Sequence, residues 1–410
     1  MDRGPEHVVV VGAGAAGWTV AAELRRLGFD RRLTLVGGER HLPYDRPPLS
    51  KQILAGTWPV ERVGLATSDE LAGLDAEVRL GVPVRSLTLT EGAHSLLLAD
   101  GSVIEADEVV AATGCTPRRL PGTAGLSNVV TLRTLDDAHT LRAALKQARR
   151  LVVVGAGFLG LEVAAAARAM GVEVDVVSDL APMVRPLGSA LSERLTRLHQ
   201  THGVRLHIGL SVTGWETEGR KVVGVQSGAE TIPADLVLVA VGAVPDAGWL
   251  QHTGLDLSAG VPCDAYGRAA PGLHAVGDVA CWWHPRYERR VRTEHRTNAA
   301  EQAMVVARDL VGQEQDPYDG VPFWWTDQYD AKIQAYGLPG SDADEQILDE
   351  GDEGPTLVGY GRAGRLDGVV GWGNIRGTRQ ARQLVVEKTL FPVDATDLDL
   401  TPRRPTPPGT

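Results

Sequence analysis

One pattern occurs twice in this chain. Residues 8–28 read VVVVGAGAAGWTVAAELRRLG, and residues 151–171 read LVVVGAGFLGLEVAAAARAMG. The offset, from Gly12 to Gly155, far exceeds a solenoid repeat of roughly 20–50 residues. Each copy opens on a β-branched run, the mark of a buried parallel strand. Three glycines follow, and then an alanine- and leucine-rich helical segment. A second strand comes next, Leu33–Val36 in the first copy and Val174–Val177 in the second. This is a βαβ unit written twice, and it predicts two mononucleotide-binding domains in an α/β chain.

The pattern also carries chemistry. Gly12, Gly14 and Gly17 form a GxGxxG motif. In such a motif the first glycine makes the turn, the second lets a pyrophosphate approach the backbone, and the third lets helix and strand come close. The phosphates then sit at a helix N-terminus, where unpaired N–H groups and the helix dipole favour anions. A lone motif of this kind is weak, because glycine turns also serve packing. Here it follows a strand, opens a helix and recurs. Gly155, Gly157 and Gly160 form the second site. Two dinucleotide sites point to two cofactors, one held tightly and one exchanged. The chemistry that needs both is hydride transfer from a nicotinamide to a flavin.

Composition removes several other classes. At roughly 150 residues per domain, the 410 residues make two or three domains. With 43% hydrophobic and 23% charged residues, such a chain buries large cores and is not wholly disordered. The 52 acidic residues outnumber the 41 basic ones, which disfavours a general nucleic-acid binder. The 48 glycines follow no period, so collagen is excluded. Cys115, Cys263 and Cys281 lie far apart, so neither a dithiol redox centre nor a cysteine zinc site is expected. Their odd number argues against a secreted disulfide scaffold. The charged start MDRGPEH, followed by only four valines, does not read as a signal peptide. The longest apolar run, LVLVAVGAVP, is too short to cross a bilayer. The expectation is a soluble cytoplasmic protein.

Between the copies, Glu77 to Asp107 alternates short apolar strands with turns, and ADG marks a hairpin. The strand DEVVAATG closes at Gly114, just after Thr113, and ADLVLVAVGAVP closes at Gly242. These lie at carboxyl ends of strands, where doubly wound sheets bind ligands. NAAEQAMVVARDLVG reads as a helix. From Val321 the texture changes to aromatics and short strands, as in a separate α+β domain.

Several further segments carry a resemblance. HLPYDRPPLSK, ending at Lys51, is similar to the FAD-domain signature of oxygenase-coupled NAD(P)H-dependent ferredoxin reductases. So are LVVVGAGFLGLE, AVGDVA around Asp278, RTEHRTNAAEQA and PFWWTDQYDAKIQAYG, in the family order and across nearly the whole chain. The resemblance implies a glutathione-reductase-like fold with two Rossmann-like dinucleotide-binding domains, one for FAD and one for NAD(P), plus a C-terminal α+β domain. The boundaries expected are 1–112 and 243–318 for FAD, 113–242 for NAD(P)H, 319–400 for the C-terminal domain, and 401–410 as a disordered tail. It implies electron flow from NAD(P)H through FAD to a two-iron, two-sulfur or similar ferredoxin that serves a cytochrome P450 or a Rieske oxygenase. The physical logic agrees. A nicotinamide delivers two electrons together, a cluster accepts one, and a flavin can stand between. The three cysteines cannot hold a cluster that needs four ligands.

By the same resemblance, Lys51 sits beside the flavin ring and pairs with Glu162 from the nicotinamide helix. A cation there stabilises negative charge on the reduced ring. Asp278, closing a strand after Gly277, accepts from the ribityl chain, or serves as a helix N-cap. Arg46 and Arg133 are FAD contacts, or surface arginines. Val84 lines the adenine, or is plain core, and Trp325 covers the flavin edge, or is core. Ala15, Ala16, Phe158 and Leu159 lie inside the two glycine motifs, and Glu294 and His295 inside the EH pair, as further cofactor contacts.

Three positions depart from the family pattern. The acid that grips a ribose hydroxyl is replaced by Gly38 in the first unit, with Glu39 beside it. In the second unit it is replaced by Ser178, with Asp179 beside it and Arg185 nearby. Serine removes the carboxylate that repels a 2′-phosphate. NADH is expected through Asp179, with NADPH left open. Arg296 stands where the family often carries tryptophan.

The segment HPRYERRVRTEHR, residues 284–296, holds five arginines against two glutamates. It reads as a docking patch, from Arg286 to Arg296, for an acidic ferredoxin, or as a solvated loop. Trp282 and Trp283 beside it mark an interface or pack beneath the loop. Two other functions remain in play. An NADH oxidase or disulfide reductase of the same fold needs a redox cysteine near the flavin, for which only Cys115 stands near a strand end. A flavoprotein whose redox state gates protein binding predicts very slow reduction by NAD(P)H.

Overall fold

A computed structural model describes residues 4–394 and Leu398. The tail expected at 401–410 lies outside the described residues. The chain is mixed α/β and divides into two compact units. One comprises the described residues within Met1–Ala148, Gly219–Val222 and Leu236–Gly320, the other those within Arg149–Glu218, Val223–Asp235 and Val321–Thr410.

The first unit is built on a six-stranded sheet. Its order is Arg268–Ala270, Leu273–Ala275, Glu108–Ala111, His7–Val11, Arg32–Gly37 and Glu77–Leu80. All neighbours are parallel except the first two. Val8, Val9 and Val10 are fully buried, which is why the strand is an unbroken β-branched run rather than an alternating one. The helix Ala15–Arg26 buries Ala16, Val20, Ala21 and Leu24 along one face, the spacing of a helix laid on a core. It packs on the helix Arg296–Leu310, whose facing residues include Ala299, Ala303 and Ala307. Small side chains on both partners permit this close approach. Gly28, at φ 87°, ends the first helix in the left-handed region. The predicted hairpin is present, with His94–Leu98 and Val103–Ala106 antiparallel across Asp100–Gly101.

The second unit holds the second βαβ. Strands Arg150–Val154, Glu173–Ser178 and Val204–Ile208 run parallel. The helix Phe158–Ala169 buries every residue from Gly160 to Ala167, so its alanine richness is the composition of a helix covered on nearly all sides. The unit also holds a five-stranded antiparallel sheet, ordered Phe323–Gln328, Ala331–Gly337, Arg365–Trp372, Gly354–Arg362 and Asp344–Gly351. The helix Ile375–Val386 covers it with Ala381 and Val385. Asn374 caps that helix, its side-chain oxygen accepting from Gly377 N–H at 2.9 Å. Among the described residues, no helix is long and apolar enough to cross a membrane.

Candidate functional site

Three glycines shape the first turn, each for a different reason. Gly12 has φ 118°, and its N–H donates to Val36 at 2.7 Å. A Cβ there would lie 2.2 Å from the Ala112 carbonyl oxygen. A Cβ on Gly17 would lie 1.8 Å from the Gly12 carbonyl oxygen. These two positions are closed by neighbouring backbone. Gly14 is the opposite case, for a Cβ there would meet nothing within 4 Å. Gly14 is the N-cap of the helix, has no side-chain cap, and is followed by no acid in the first turn. Open space thus faces an uncapped helix N-terminus that includes Ala15 and Ala16, which suits a pyrophosphate. The second turn repeats this. Gly155 has φ 106° and donates to Val177 at 2.8 Å. Gly157 caps the helix without a side chain, and a Cβ there also meets nothing within 4 Å. Phe158 and Leu159 form its first turn, and Gly160 is buried. The residues present fit one dinucleotide at each turn.

Around the first turn the polar side chains are locked to one another. Glu39 accepts from Arg46 Nη2 at 2.6 Å and from the Tyr44 hydroxyl at 2.5 Å. Arg46 also donates to the Arg133 carbonyl at 2.7 Å. Leu135 N–H donates to the Tyr44 hydroxyl at 3.0 Å. Arg133 in turn pairs with Asp278, Nη2 to Oδ2 at 2.8 Å. Neither arginine is a loose surface residue, and both carboxylates already have partners. A Cβ on Gly114 would lie 2.9 Å from Arg133 Nη2, so glycine there leaves room for the guanidinium. Thr113 donates to the Asp246 carbonyl at 2.6 Å.

Asp278 does not close a strand, since the strand ends at Ala275 and Gly277–Val279 is a 3₁₀ turn capped by Val276. The N-cap reading of Asp278 therefore fails. Gly277, at φ 71°, holds the turn against the helices at Ala16 and Ala299, and its N–H donates to Gln302 Oε1 at 2.8 Å. Glu294 pairs with Arg292 at 2.6 Å. His295 precedes the helix Arg296–Leu310, and burial pushes its imidazole down to about 4, so it is neutral at pH 7. Arg296, the departure from the family pattern, pairs with Asp45 at 2.6 Å. Val84 is half-buried opposite Leu98. Gly242, at φ 93°, faces open space. Lys51 is half-buried at the N-cap of the short helix Gln52–Ala55.

Cys115 is buried, and desolvation pushes its thiol up to about 12. Its S–H donates to the Asp278 carbonyl at 3.3 Å. All three cysteines are unpaired and buried. None has the lowered pKa of a redox nucleophile. The arginine patch is smaller than its sequence suggests. Arg286 pairs with Asp319, Arg292 with Glu294 and Arg296 with Asp45. Arg289 and Arg290 are exposed on the strand Arg289–Val291. Arg290 stands opposite Trp283, which is 43% exposed, whereas Trp282 is buried and donates to the Ala275 carbonyl.

In the second unit Ser178 is buried, and its Oγ accepts from Leu180 N–H at 3.3 Å. Asp179 and Arg185 are both exposed. Glu162 is buried on the helix Phe158–Ala169 and accepts from Thr326 at 2.7 Å. Strand Phe323–Gln328 alternates, placing Trp324, Thr326 and Gln328 inward. Trp324 meets Phe158 edge to face at 4.9 Å. Trp325 lies on the other face, half-buried and stacked on Phe323. Tyr44, Asp45, Thr326, Gln328 and His199 were missed as site residues. The first four lie inside quoted motifs, whereas His199 lies in an ordinary amphipathic helix with no local signal.

Comparison with known proteins agrees with this arrangement. Residues 6–303 match the pyridine nucleotide-disulphide oxidoreductase family, and residues 323–399 match the reductase C-terminal domain. Rhodocoxin reductase of Rhodococcus erythropolis is 35% identical over 96% of this chain and 92% of its own. The ferredoxin–NAD(+) reductase component of the p-cumate 2,3-dioxygenase system of Pseudomonas putida is 34% identical over 95% of each chain. Putidaredoxin reductase, solved in covalent complex with putidaredoxin, superposes with a TM-score of 0.88 at 31% identity, covering 94% of each chain. With two uncapped glycine turns, the matched C-terminal domain and these relatives together, the chain belongs to the pyridine nucleotide-disulphide oxidoreductases and, within them, to the ferredoxin reductases of oxygenase systems.

Proposed function

We propose that this chain takes hydride from NAD(P)H onto bound FAD and passes single electrons to a ferredoxin that supplies a cytochrome P450 or a Rieske oxygenase. The observation that carries this reading is one chain with two uncapped helix N-termini, each facing open space at the second glycine of its motif. The flavin, when bound, supplies the conversion between two-electron and one-electron transfer. The side chains do the rest. The turn at Gly12–Gly17 holds the FAD pyrophosphate, and that at Gly155–Gly160 holds the nicotinamide dinucleotide. Lys51 supplies the cation that stabilises negative charge developing on the reduced ring. Glu162 supplies the carboxylate of the nicotinamide helix. The Glu39, Arg46, Arg133 and Asp278 network shapes the flavin site.

The buried, high-pKa Cys115 argues against a disulfide reductase or a thiol-dependent oxidase. The ferredoxin docks on Trp283, Arg289 and Arg290, an exposed aromatic flanked by exposed cations in an otherwise acidic protein. Unpaired buried thiols suit the reducing cytoplasm, where we place the protein. NADH is the expected donor, with NADPH the alternative at Ser178.

The deciding experiment is an anaerobic titration of purified yellow protein with NADH and NADPH, followed by ferredoxin with cytochrome c as final acceptor. Bleaching by NADH and ferredoxin-dependent cytochrome reduction are expected. A preparation that stays colourless after soaking in FAD, or that no ferredoxin accelerates, would end the reading.

A further inference from the structure

A row of buried polar groups in the second unit leads to Glu162. Tyr329, His199, Gln328, Thr326 and Glu162 form consecutive hydrogen bonds of 3.4, 2.7, 3.2 and 2.7 Å. His199, Gln328 and Thr326 are each fully buried, and Glu162 is 7% exposed. Chemistry fixes the direction of the row. Gln328 Nε2 lies 3.4 Å from the Met183 sulfur, which only accepts. The amide nitrogen therefore faces Met183 and Thr326, and the amide oxygen faces His199. His199 Nε2 must then carry the hydrogen, which leaves Nδ1 to accept from the Tyr329 hydroxyl. Gln328 donates to Thr326, and Thr326 donates to Glu162. Every donor points towards the carboxylate.

Two features argue that this is more than satisfaction of core polarity. First, an apolar set of similar volume would be the cheaper filling, since buried polar networks stabilise only when every member is paired. Second, the row begins at a residue in an unfavoured conformation. Tyr329 has φ 55° in the two-residue turn after the Gln328–Ala331 pair. Glycine or asparagine normally takes that place. Its ring is held by His202, stacked at 3.7 Å and 14°, and its hydroxyl by His199. Burial pushes His199 down to about 4, so the ring stays neutral and keeps one donor and one acceptor.

We propose that Gln328, backed by His199 and Tyr329, is a positioning residue that fixes the Glu162 carboxylate through Thr326 for hydride transfer. The proposal rests on the reading above that Glu162 takes part in hydride transfer. A one-way row of donors restricts the rotamers of the carboxylate and so keeps its position fixed between turnovers. An amide in the row passes no proton, so the row orients and does not conduct.

The test is a double-mutant cycle on the FAD holoenzyme, read as the stopped-flow rate constant of flavin reduction at saturating NADH. Gln328→Leu and Thr326→Val should each slow reduction about tenfold, the scale of one hydrogen bond to a charged group. Thr326→Ser should restore the rate, and the NADH concentration for half-saturation should hold. In a Glu162→Gln background, Gln328→Leu should add no further loss. Wild-type rates in Gln328→Leu and Thr326→Val, or an equal loss in both backgrounds, would overturn the proposal. Thr326→Val keeps the test alive if Gln328→Leu fails to fold. A Glu162→Gln protein that reduces at the wild-type rate removes Glu162 from the site and the proposal with it. A wild-type protein that NADH does not reduce would sink the functional reading itself.

Discussion

The two glycine turns share one backbone and differ in what surrounds them. Gly12 and Gly155 have φ of 118° and 106°, donate to the same place on the next strand, and precede helices capped by glycine alone. Beyond the first turn, next to the acid position at Gly38, stands Glu39, whose two oxygens are bound by Arg46 and Tyr44, and whose arginine reaches the Arg133 carbonyl. Beyond the second turn Ser178 is buried, while Asp179 and Arg185 are exposed. The same fold fragment is therefore cross-linked in one setting and open in the other. A network of ion pairs and hydrogen bonds resists local opening, whereas exposed side chains do not. That contrast is what a resident cofactor and an exchanged one require of the same motif.

The largest effect is expected where backbone touches backbone. Gly17→Val places side-chain carbon on the Gly12 carbonyl, from which even a Cβ would be 1.8 Å away. It should yield no folded protein, measured as loss of the cooperative thermal transition. A stable Gly17→Val protein would show that helix and turn are not in contact. The next effect separates the turns. Gly14→Ala and Gly157→Ala each add a methyl to open space. Both should fold, but Gly14→Ala should purify with most of its flavin lost. Gly157→Ala should stay yellow and need more NADH for half-maximal reduction. Loss of colour in both, or in neither, would erase the assignment of one cofactor to each turn.

Lys51→Ala should keep flavin and slow its reduction about 100-fold, the scale of removing one preorganised charge from a reacting centre. Unchanged single-turnover kinetics would strike Lys51 from the catalytic set. This effect should exceed that of Gln328→Leu, because the latter only loosens a group that stays in place.

Sequence revealed the parts whose chemistry is local. The twin βαβ units were legible because strands buried on both faces must be apolar throughout, as Val8–Val10 and Leu151–Val153 are. The glycines were legible because Gly12 and Gly17 leave no room for a Cβ. The C-terminal sheet announced itself by strand alternation at Phe323–Gln328. What stayed hidden is long-range. Arg296 reads as an anomaly until it is seen against Asp45, and Arg286 as part of a patch until it is seen against Asp319. The tandem tryptophans look alike in sequence, yet one donates to a core carbonyl and the other faces solvent. His199 reads as one more polar residue of an amphipathic helix, and only the fold aligns it with Gln328. Pairings between residues far apart in the chain leave no period to detect.

The smallest effect is expected at the open second turn. Ser178→Glu restores a carboxylate at the end of the second strand, where the Ser178 hydroxyl now accepts from Leu180 N–H. A carboxylate there attracts the ribose hydroxyls and repels a 2′-phosphate. The exposed neighbours Asp179 and Arg185 show that the site is solvated, so the charge term should be screened to about 1 kcal/mol. The ratio of kcat/KM for NADH over NADPH should therefore rise about fivefold, and the gain should shrink as salt is added. The matching change in the first unit should do nothing to this ratio if, as proposed, that unit holds the flavin. If Ser178→Glu leaves the ratio unmoved while Asp179→Asn shifts it, the discriminating carboxylate is the exposed one, and Ser178 only shapes the turn that presents it.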